Sequence, residues 1–344
     1  MIHIKREGVI LEATNFEFEN ESVMNPAVIV AGGKIHMFYR AVRVGNMSSI
    51  GYCRLENPLK VVYRKKEPIL FPEFEYEKHG MEDPRIVKLE DTYYMTYTAY
   101  DGDNAVGALV TSKDLKHFTR AGIITSQVTY PQFIEWLAND KHPHTYKYFR
   151  LYNQRQSRTQ TGKQLYLMDK DLVMFPHKIN GKIFFLHRIR PDIQSVSIDK
   201  IENLTLDFWK HYYSNFNSHI FFKHRYDFES SYIGAGCPPI KVDAGWLMIY
   251  HSVYDTPEGY VYSASAALLN KYNPSIEIAR LPYPLLMPEK DYETQGVVDH
   301  VCFPTGAIIW DDILYIYYGA ADKCIACASV PVRELIDELL NYRK

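Results

Sequence analysis

Two carboxylates have the setting for bond cleavage. One is Asp83, in the charged tetrad Glu82-Asp83-Pro84-Arg85, and the other is Glu229, in the run DFESSYIGAGCPP. Cleaving a glycosidic bond with inversion takes an acid on one side and a base on the other. Their carboxyls sit roughly 6.5–9.5 Å apart, which leaves room for the attacking group. Glu258 and Glu293 are rival bases. Polar and aromatic residues recur at equivalent places along the chain: Tyr39-Arg40, Tyr97-Thr98, His187-Arg188, Tyr250-His251 and Tyr318-Gly319, with Asp101 and Asp322 just after two of them. Brought together, they make a polar, aromatic-lined pocket suited to a neutral polyhydroxyl compound, and arginine can grip a hydroxyl or an anion with its planar fork. His187 and His251 lack metal-ligand spacing with another ligand, so no metal is expected. No phosphate-cradling glycine loop precedes a helix, and there is no Gly-x-Ser-x-Gly elbow.

The elements that must position these groups are five copies of one hairpin. Asn25-Pro26, Asp83-Pro84, Phe175-Pro176, Pro238-Pro239 and Phe303-Pro304 each open an apolar run, a Gly, Asn or Asp turn, and a second aromatic strand. A residue before proline is biased to extended backbone, so Asn25 and Asp83 are expected to project from extended strands toward a common axis. Further strand-like sequence follows each hairpin, giving modules of about 60 residues with three or four antiparallel strands, which describes propeller blades. The expected fold is all-β, a five-bladed propeller forming one catalytic domain over 1–344. Residues 127–166, basic and Gln-rich, read as an insertion between the second and third modules, shaping a lid or an oligomer contact. Helix is expected only at Pro131–Asn139 and near the C-terminus, Pro331–Asn341.

Bulk properties agree. The chain has 344 residues, a net charge of -2, 28 Tyr and 14% aromatics, which favours strands and gives no footing to nucleic acid or an anionic membrane. Five scattered Cys make no disulfide framework, and Cys324 and Cys327 read as buried thiols. MIHIKREGVI lacks a secretory core and no stretch is long enough to span a bilayer, so the expectation is a reduced compartment, the cytoplasm, or the periplasm if a signal was trimmed. A homo-oligomer is left open.

The blocks MNPAVI with MFYRA, EDPRIV with YYMTYTAYDG, FPHKINGK with LHR, GAGCPPI with GWLMIYH, and CFPTGAI with YIYYGAAD together resemble glycoside hydrolase family 130, over about residues 20 to 330. The resemblance implies a five-bladed β-propeller acting on β-mannosides by inversion, as phosphorylase or hydrolase, with no metal or cofactor. By the same resemblance Asp83 matches the proton donor, acting in the phosphorylases through the mannose 3-hydroxyl. Asn25, Arg40 and Asp322 match residues that hold the terminal mannose, while Arg188 and His251 match members of the phosphate site. The chain departs from the phosphorylase pattern in two places. Lys170-Asp171 stands where Arg-Asn is typical, and Tyr232 where a lysine is typical. Losing a cation and gaining a carboxylate weakens a phosphate site. The main expectation is therefore an exo-acting, inverting β-mannosidase that takes a terminal mannose from a small manno-oligosaccharide. Asp83 is its acid and Glu229 its base. Asn25, Arg40, Asp101, Asp322 and Tyr97 are placed around the mannose, and Arg188, His187, His251, Lys170 and Tyr232 on the acceptor side. The alternative is a β-mannoside phosphorylase with inorganic phosphate as co-substrate, releasing mannose 1-phosphate. A non-catalytic sugar-binding propeller is the reading from another class.

Overall fold

The computed structural model describes residues 2–137 and 164–343. Strand outweighs helix, 52% to 14%, as the abundance of Tyr and the alternating apolar runs require. The strands fall into five antiparallel units in chain order. The first holds Ser22–Ala31, Lys34–Arg43, Met47–Asn57 and Lys60–Arg64, and the second Gly80–Leu89, Thr92–Tyr100, Ala105–Ser112 and Phe118–Ile123. The third holds Lys170–Met174, Ile183–Arg188, Ile193–Ile198 and Ile220–Phe222. The fourth is Tyr232–Ala235, Gly245–Thr256, Gly259–Leu269 and Glu277–Arg280, with the short Ile240–Val242 also paired to its second strand. In the fifth, Cys302–Trp310, Ile313–Ala320 and Cys324–Pro331 are completed by Lys5–Leu11 from the other end of the chain. The first two units touch through one parallel bridge, Ser48 to Gly80.

The hydrophobic cores lie between units. One cluster joins the first and second units through Phe38, Ile50, Met95 and Val106. Others join second to third, third to fourth, and fourth to fifth. A further cluster packs Ile308, Tyr317 and Cys327 of the fifth unit on Met37, Tyr39 and Cys53 of the first. Each unit therefore buries both faces against its neighbours in sequence, and the fifth meets the first.

The helix expected at Pro131–Asn139 is found at Tyr130–Trp136, with Thr129 and Gln132 forming a reciprocal cap. The C-terminal one runs Val332–Leu340. A third helix, Leu206–Ser214, was not expected; it is capped by Thr205 and buries Trp209, Tyr212 and Tyr213 at the i, i+3, i+4 spacing of an amphipathic helix. Most of the 127–166 insertion, residues 138–163, lies outside the described residues.

A second repeat threads the units. Ahead of four units stand Glu19, Glu77 and Glu229, in 3-10 turns, and Glu293, in the short α-helix Asp291–Thr294, each 0% exposed. Each carboxylate accepts from a tyrosine near the end of the unit's second strand: Tyr39 at 2.7 Å, Tyr97 at 2.5 Å, Tyr250 at 2.6 Å and Tyr318 at 2.6 Å. An arginine completes each set, Arg64 at 3.0 Å, Arg120 at 2.5 Å, Arg280 at 3.2 Å and Arg6 at 3.1 Å. In the third unit Asp169 and His187 take these places, 2.8 Å apart, and the His187 ring also meets the Tyr212 hydroxyl at 2.8 Å.

This arrangement corrects three sequence-based assignments. Tyr97 donates to buried Glu77, and the His187 ring meets buried Asp169, so each side chain is engaged in an anchor. Glu229 also accepts from the backbone N–H groups of Arg225 at 2.6 Å and Tyr226 at 3.1 Å, so it is a structural anchor and not a base open to water. The reason is spacing. Tyrosine one residue before Arg40, Thr98 and His251 points to the opposite face of its strand. Breaking one partner of a buried pair costs about 3–5 kcal/mol. Glu229→Gln and its counterpart Glu19→Gln are therefore both expected to lower the urea midpoint markedly. A Glu229→Gln protein of native stability that has lost only turnover would restore the base assignment.

Candidate active site

Three first strands break register at the same place. The ladder skips between Met24 and Ala27, between Glu82 and Arg85, and between Lys170 and Val173. The residue at each break has left-handed backbone, with φ of 51° at Asn25, 51° at Asp83 and 56° at Asp171. Asp322, in the turn after Ile313–Ala320, has φ 51°. Asn and Asp tolerate this region better than other residues with a Cβ. A bulge of this kind re-aims side chains that would otherwise alternate between faces.

Two expectations change here. Asn25 and Asp83 are not extended, because the bulge overrides the bias before proline. The third-unit counterpart of Asp83 is Asp171 and not Phe175, which is 1% exposed and packed edge-on against Trp246 at 5.2 Å.

The breaks gather residues of several units around Asp83. Asn25 Nδ2 donates to Asp83 Oδ1 at 2.7 Å, and Arg40 Nη1 lies 3.6 Å from the same oxygen. Arg40 Nη2 donates to Glu82 Oε1 at 2.8 Å, and its Nε to Ser48 at 2.9 Å. Lys170 Nζ reaches Glu82 Oε2 at 3.3 Å. Burial alone would raise the Asp83 carboxyl, but Arg40, then Lys170 and Arg85, and the Asn25 amide hold it below its usual range. Asp322 behaves oppositely. Burial pushes its carboxyl up to about 6, helped by Asp83 and Glu82 and opposed by Arg40 and Lys170. Asp83 is thus a carboxylate in the unliganded site, while Asp322 holds a proton into the mildly acidic range.

A cationic corner adjoins this cluster. Arg188 Nε is hydrogen-bonded to Asp171, and the His251 Nε2 atom lies 3.5 Å from the same carboxylate, outside hydrogen-bond geometry. Both ring nitrogens of His251 are buried without a hydrogen-bond partner, and so is Nη2 of Arg85. Burial, with the guanidiniums of Arg188, Arg85 and Arg190 adding and Asp171 opposing, pushes His251 down to about 3, so its ring is neutral. Tyr232 lies under two guanidiniums, Arg190 at 3.7 Å and Arg188 at 4.7 Å from its centroid, and shares a 2.7 Å hydrogen bond with Tyr262. Arg85 joins the two regions, donating to the backbone oxygens of Asp83 at 2.7 Å and Gly236 at 2.5 Å.

Asn25, Arg40, Asp83, Lys170 and Asp322 thus share one cluster, with Arg188, His251 and Tyr232 beside it. Asp101 does other work: its carboxylate accepts from the backbone of Asp103 at 2.8 Å and Asn104 at 2.7 Å, locking the turn after Thr92–Tyr100. Glu258 sits in the exposed turn between Gly245–Thr256 and Gly259–Leu269. Sequence reasoning missed the roles of Glu82, Arg85 and Arg190. Among the described residues no group of three or more His, Cys, Asp and Glu could hold a metal, and no helix is long and apolar enough to cross a membrane.

With strands and site in place, the chain can be set beside known proteins. Residues 4–341 match the family model of glycoside hydrolase family 130, described as beta-1,4-mannooligosaccharide phosphorylase, so the chain belongs to that family of β-mannoside phosphorylases and hydrolases. Among curated relatives, the 1,2-beta-oligomannan phosphorylase of Thermoanaerobacter sp. (strain X514) is 31% identical, across 97% of this chain and 99% of its own length. The beta-1,2-mannobiose phosphorylase of Listeria innocua is 28% identical across 97% of this chain and 80% of its own. A Listeria innocua beta-1,2-mannobiose phosphorylase, solved with beta-1,2-mannobiose, superposes with a TM-score of 0.71 at 23% identity, covering 98% of this chain and 99% of that one. Another structure, reported for glycoside hydrolases within the family that target beta-1,2 mannosidic linkages, has a TM-score of 0.69 at 23% identity, covering 96% and 94%.

Two outcomes test this geometry. A Cβ on Gly234 would lie 2.3 Å from His251 Cε1 and 2.4 Å from Asp171 Oδ2. Gly234→Ala should therefore push the cationic corner apart, with turnover reduced at least tenfold while the melting temperature changes little. Equal turnover would mean that corner is not used. Because the folded Asp322 carboxyl binds its proton more tightly than the unfolded one, stability falls as pH rises from about 4 to about 6. Asp322→Asn should relieve this, so its urea midpoint relative to the parent rises across that window and levels off above it. A difference independent of pH would contradict the assignment.

Proposed function

We propose that this chain is an exo-acting, inverting β-mannoside phosphorylase, a single catalytic domain built as a five-bladed β-propeller, acting on β-1,2-linked manno-oligosaccharides. The propeller is supported by five antiparallel units, four of four strands and one of five, with a core between each consecutive pair and a fifth that packs on the first. The linkage is supported by the curated relatives. Phosphorolysis in place of hydrolysis, the main expectation from sequence, rests on one observation. The glutamates considered for activating water are occupied elsewhere, Glu229 and Glu293 in buried anchors and Glu258 in an exposed turn. In the cationic corner both ring nitrogens of His251 and Nη2 of Arg85 are buried without a hydrogen-bond partner, beside Arg188.

In this mechanism Asn25, Arg40 and Asp322 hold the terminal mannose. A phosphate oxygen, gripped by Arg188 and His251, attacks the anomeric carbon from the face away from the leaving sugar. The bond to the glycosidic oxygen breaks, and that oxygen takes a proton from the mannose 3-hydroxyl, which Asp83 replenishes. The products are α-mannose 1-phosphate and the shortened saccharide. Asp83 must first be protonated. Phosphate binding beside Lys170 and Arg188 offsets part of the positive charge that keeps it ionised, which moves it in that direction. One observation favours hydrolysis: Tyr232 is neutral where a lysine would reach the anion.

Incubation with β-1,2-mannobiose should yield mannose 1-phosphate only when phosphate is present. Equal release of free mannose without phosphate would establish the hydrolase. Asp83→Asn should lower kcat by about 10²–10⁴-fold while leaving KM within a few-fold, and unchanged kcat would remove Asp83 from the chemistry.

A further inference from the structure

Glu82 has no role in the scheme above, yet its placement is unusual. In a regular strand Glu82 and Asp83 would face opposite ways. The register break after Glu82 and the left-handed backbone of Asp83 turn both toward the same group of cations. Glu82 is 7% exposed, and its two oxygens are divided between units, Oε1 to Arg40 of the first at 2.8 Å and Oε2 to Lys170 of the third at 3.3 Å. One side chain of the second unit thereby ties down a cation from each neighbour. With Ser48 on its Nε, Arg40 is fixed so that Nη1 faces Asp83 at 3.6 Å. Both cations also act electrostatically on Asp83.

We propose that Glu82 is a positioning residue of the reaction: it clamps Arg40 and Lys170 on either side of Asp83 and offsets their charge there, so that Asp83 can take up the proton it delivers. The inference rests on Asp83 being the donor, whichever nucleophile follows. The groups facing Asp83 are Asn25 and Arg40 from the first unit, Glu82 and Arg85 from its own, Lys170 from the third and Asp322 from the fifth. Removing the Glu82 charge leaves the cations unopposed and weakens the hold of Asp83 on a proton.

The test is the pH profile of kcat at saturating β-1,2-mannobiose, which reports groups in the substrate complex, with and without phosphate, for the parent, Glu82→Gln and Glu82→Asp. The alkaline limb reports loss of the donor's proton. Glu82→Gln should move that limb about one pH unit lower, a roughly tenfold loss on the alkaline side that shrinks as pH falls. Glu82→Asp keeps the charge and should leave the limb in place while raising KM. Lys170→Met should move the limb to higher pH, which tests the same balance should Glu82→Gln fail to fold. A Glu82→Gln profile scaled down equally at every pH, or an unmoved limb in both Glu82→Gln and Lys170→Met, overturns the proposal. Turnover independent of phosphate would instead overturn the phosphorylase reading and leave the limb shifts readable.

Discussion

Three first strands lose ladder register at the same position, and the residue at each break, Asn25, Asp83 or Asp171, has left-handed backbone. The rest of the site depends on this. A strand without the bulge would send every second polar side chain into an inter-unit core, where an unpaired charge is costly. With it, consecutive residues such as Glu82 and Asp83 turn toward one shared set of partners, while Lys170 and Asp171 reach Glu82 and Arg188 in turn. The backbone conformation accounts for the residue types, since Asn and Asp accept positive φ at lower cost than branched or bulky residues. Glycine serves the same geometry from the facing strand: at Gly319 a Cβ would lie 2.0 Å from Asn25 Oδ1.

Charge is then shared out in two ways. In the buried anchors at Glu19, Glu77, Glu229 and Glu293 each carboxylate is satisfied by a tyrosine and an arginine, while Arg64 Nη2 and Arg280 Nε are without a hydrogen-bond partner. The active-site cluster is left open, with Arg40 and Lys170 against Glu82, Asp83 and Asp322, and with His251 and Arg85 holding nitrogens that meet no acceptor. The anchors fix the units in place. Unpartnered buried nitrogens carry a desolvation penalty that a bound anion relieves. The same chemical types thus serve as scaffold in one layer and, in the proposed mechanism, as a binding surface in another.

Much of this could be read from the sequence. Five recurring hairpins marked the five units, and Asn25, Arg40, Asp83 and Asp322, grouped from sequence around the sugar, lie in one cluster, which Lys170, expected on the acceptor side, joins through Glu82. Three things were hidden, each for a physical reason. The proline rule describes local sterics, and the bulge that overrides it is set by pairing with a distant strand. Phe175-Pro176 looked like the third member of the series because it keeps the proline, whereas the bulge keeps the acid, at Asp171. Glu229 looked like an isolated carboxylate near a glycine-rich strand. Its equivalence to Glu19, Glu77 and Glu293 lay in an aromatic-Glu pair 20 to 25 residues before the paired tyrosine, a spacing visible in the sequence but outranked by the prolines.

The account stands on the corner formed by Arg188, His251 and Arg85 taking the nucleophile while Asp83 faces the sugar. A crystal structure of the protein with mannose and phosphate tests this most directly. It should place phosphate within hydrogen-bond distance of Arg188 and His251, with the mannose 3-hydroxyl against Asp83. Phosphate bound elsewhere, or a water held by a glutamate at the anomeric carbon, would contradict it.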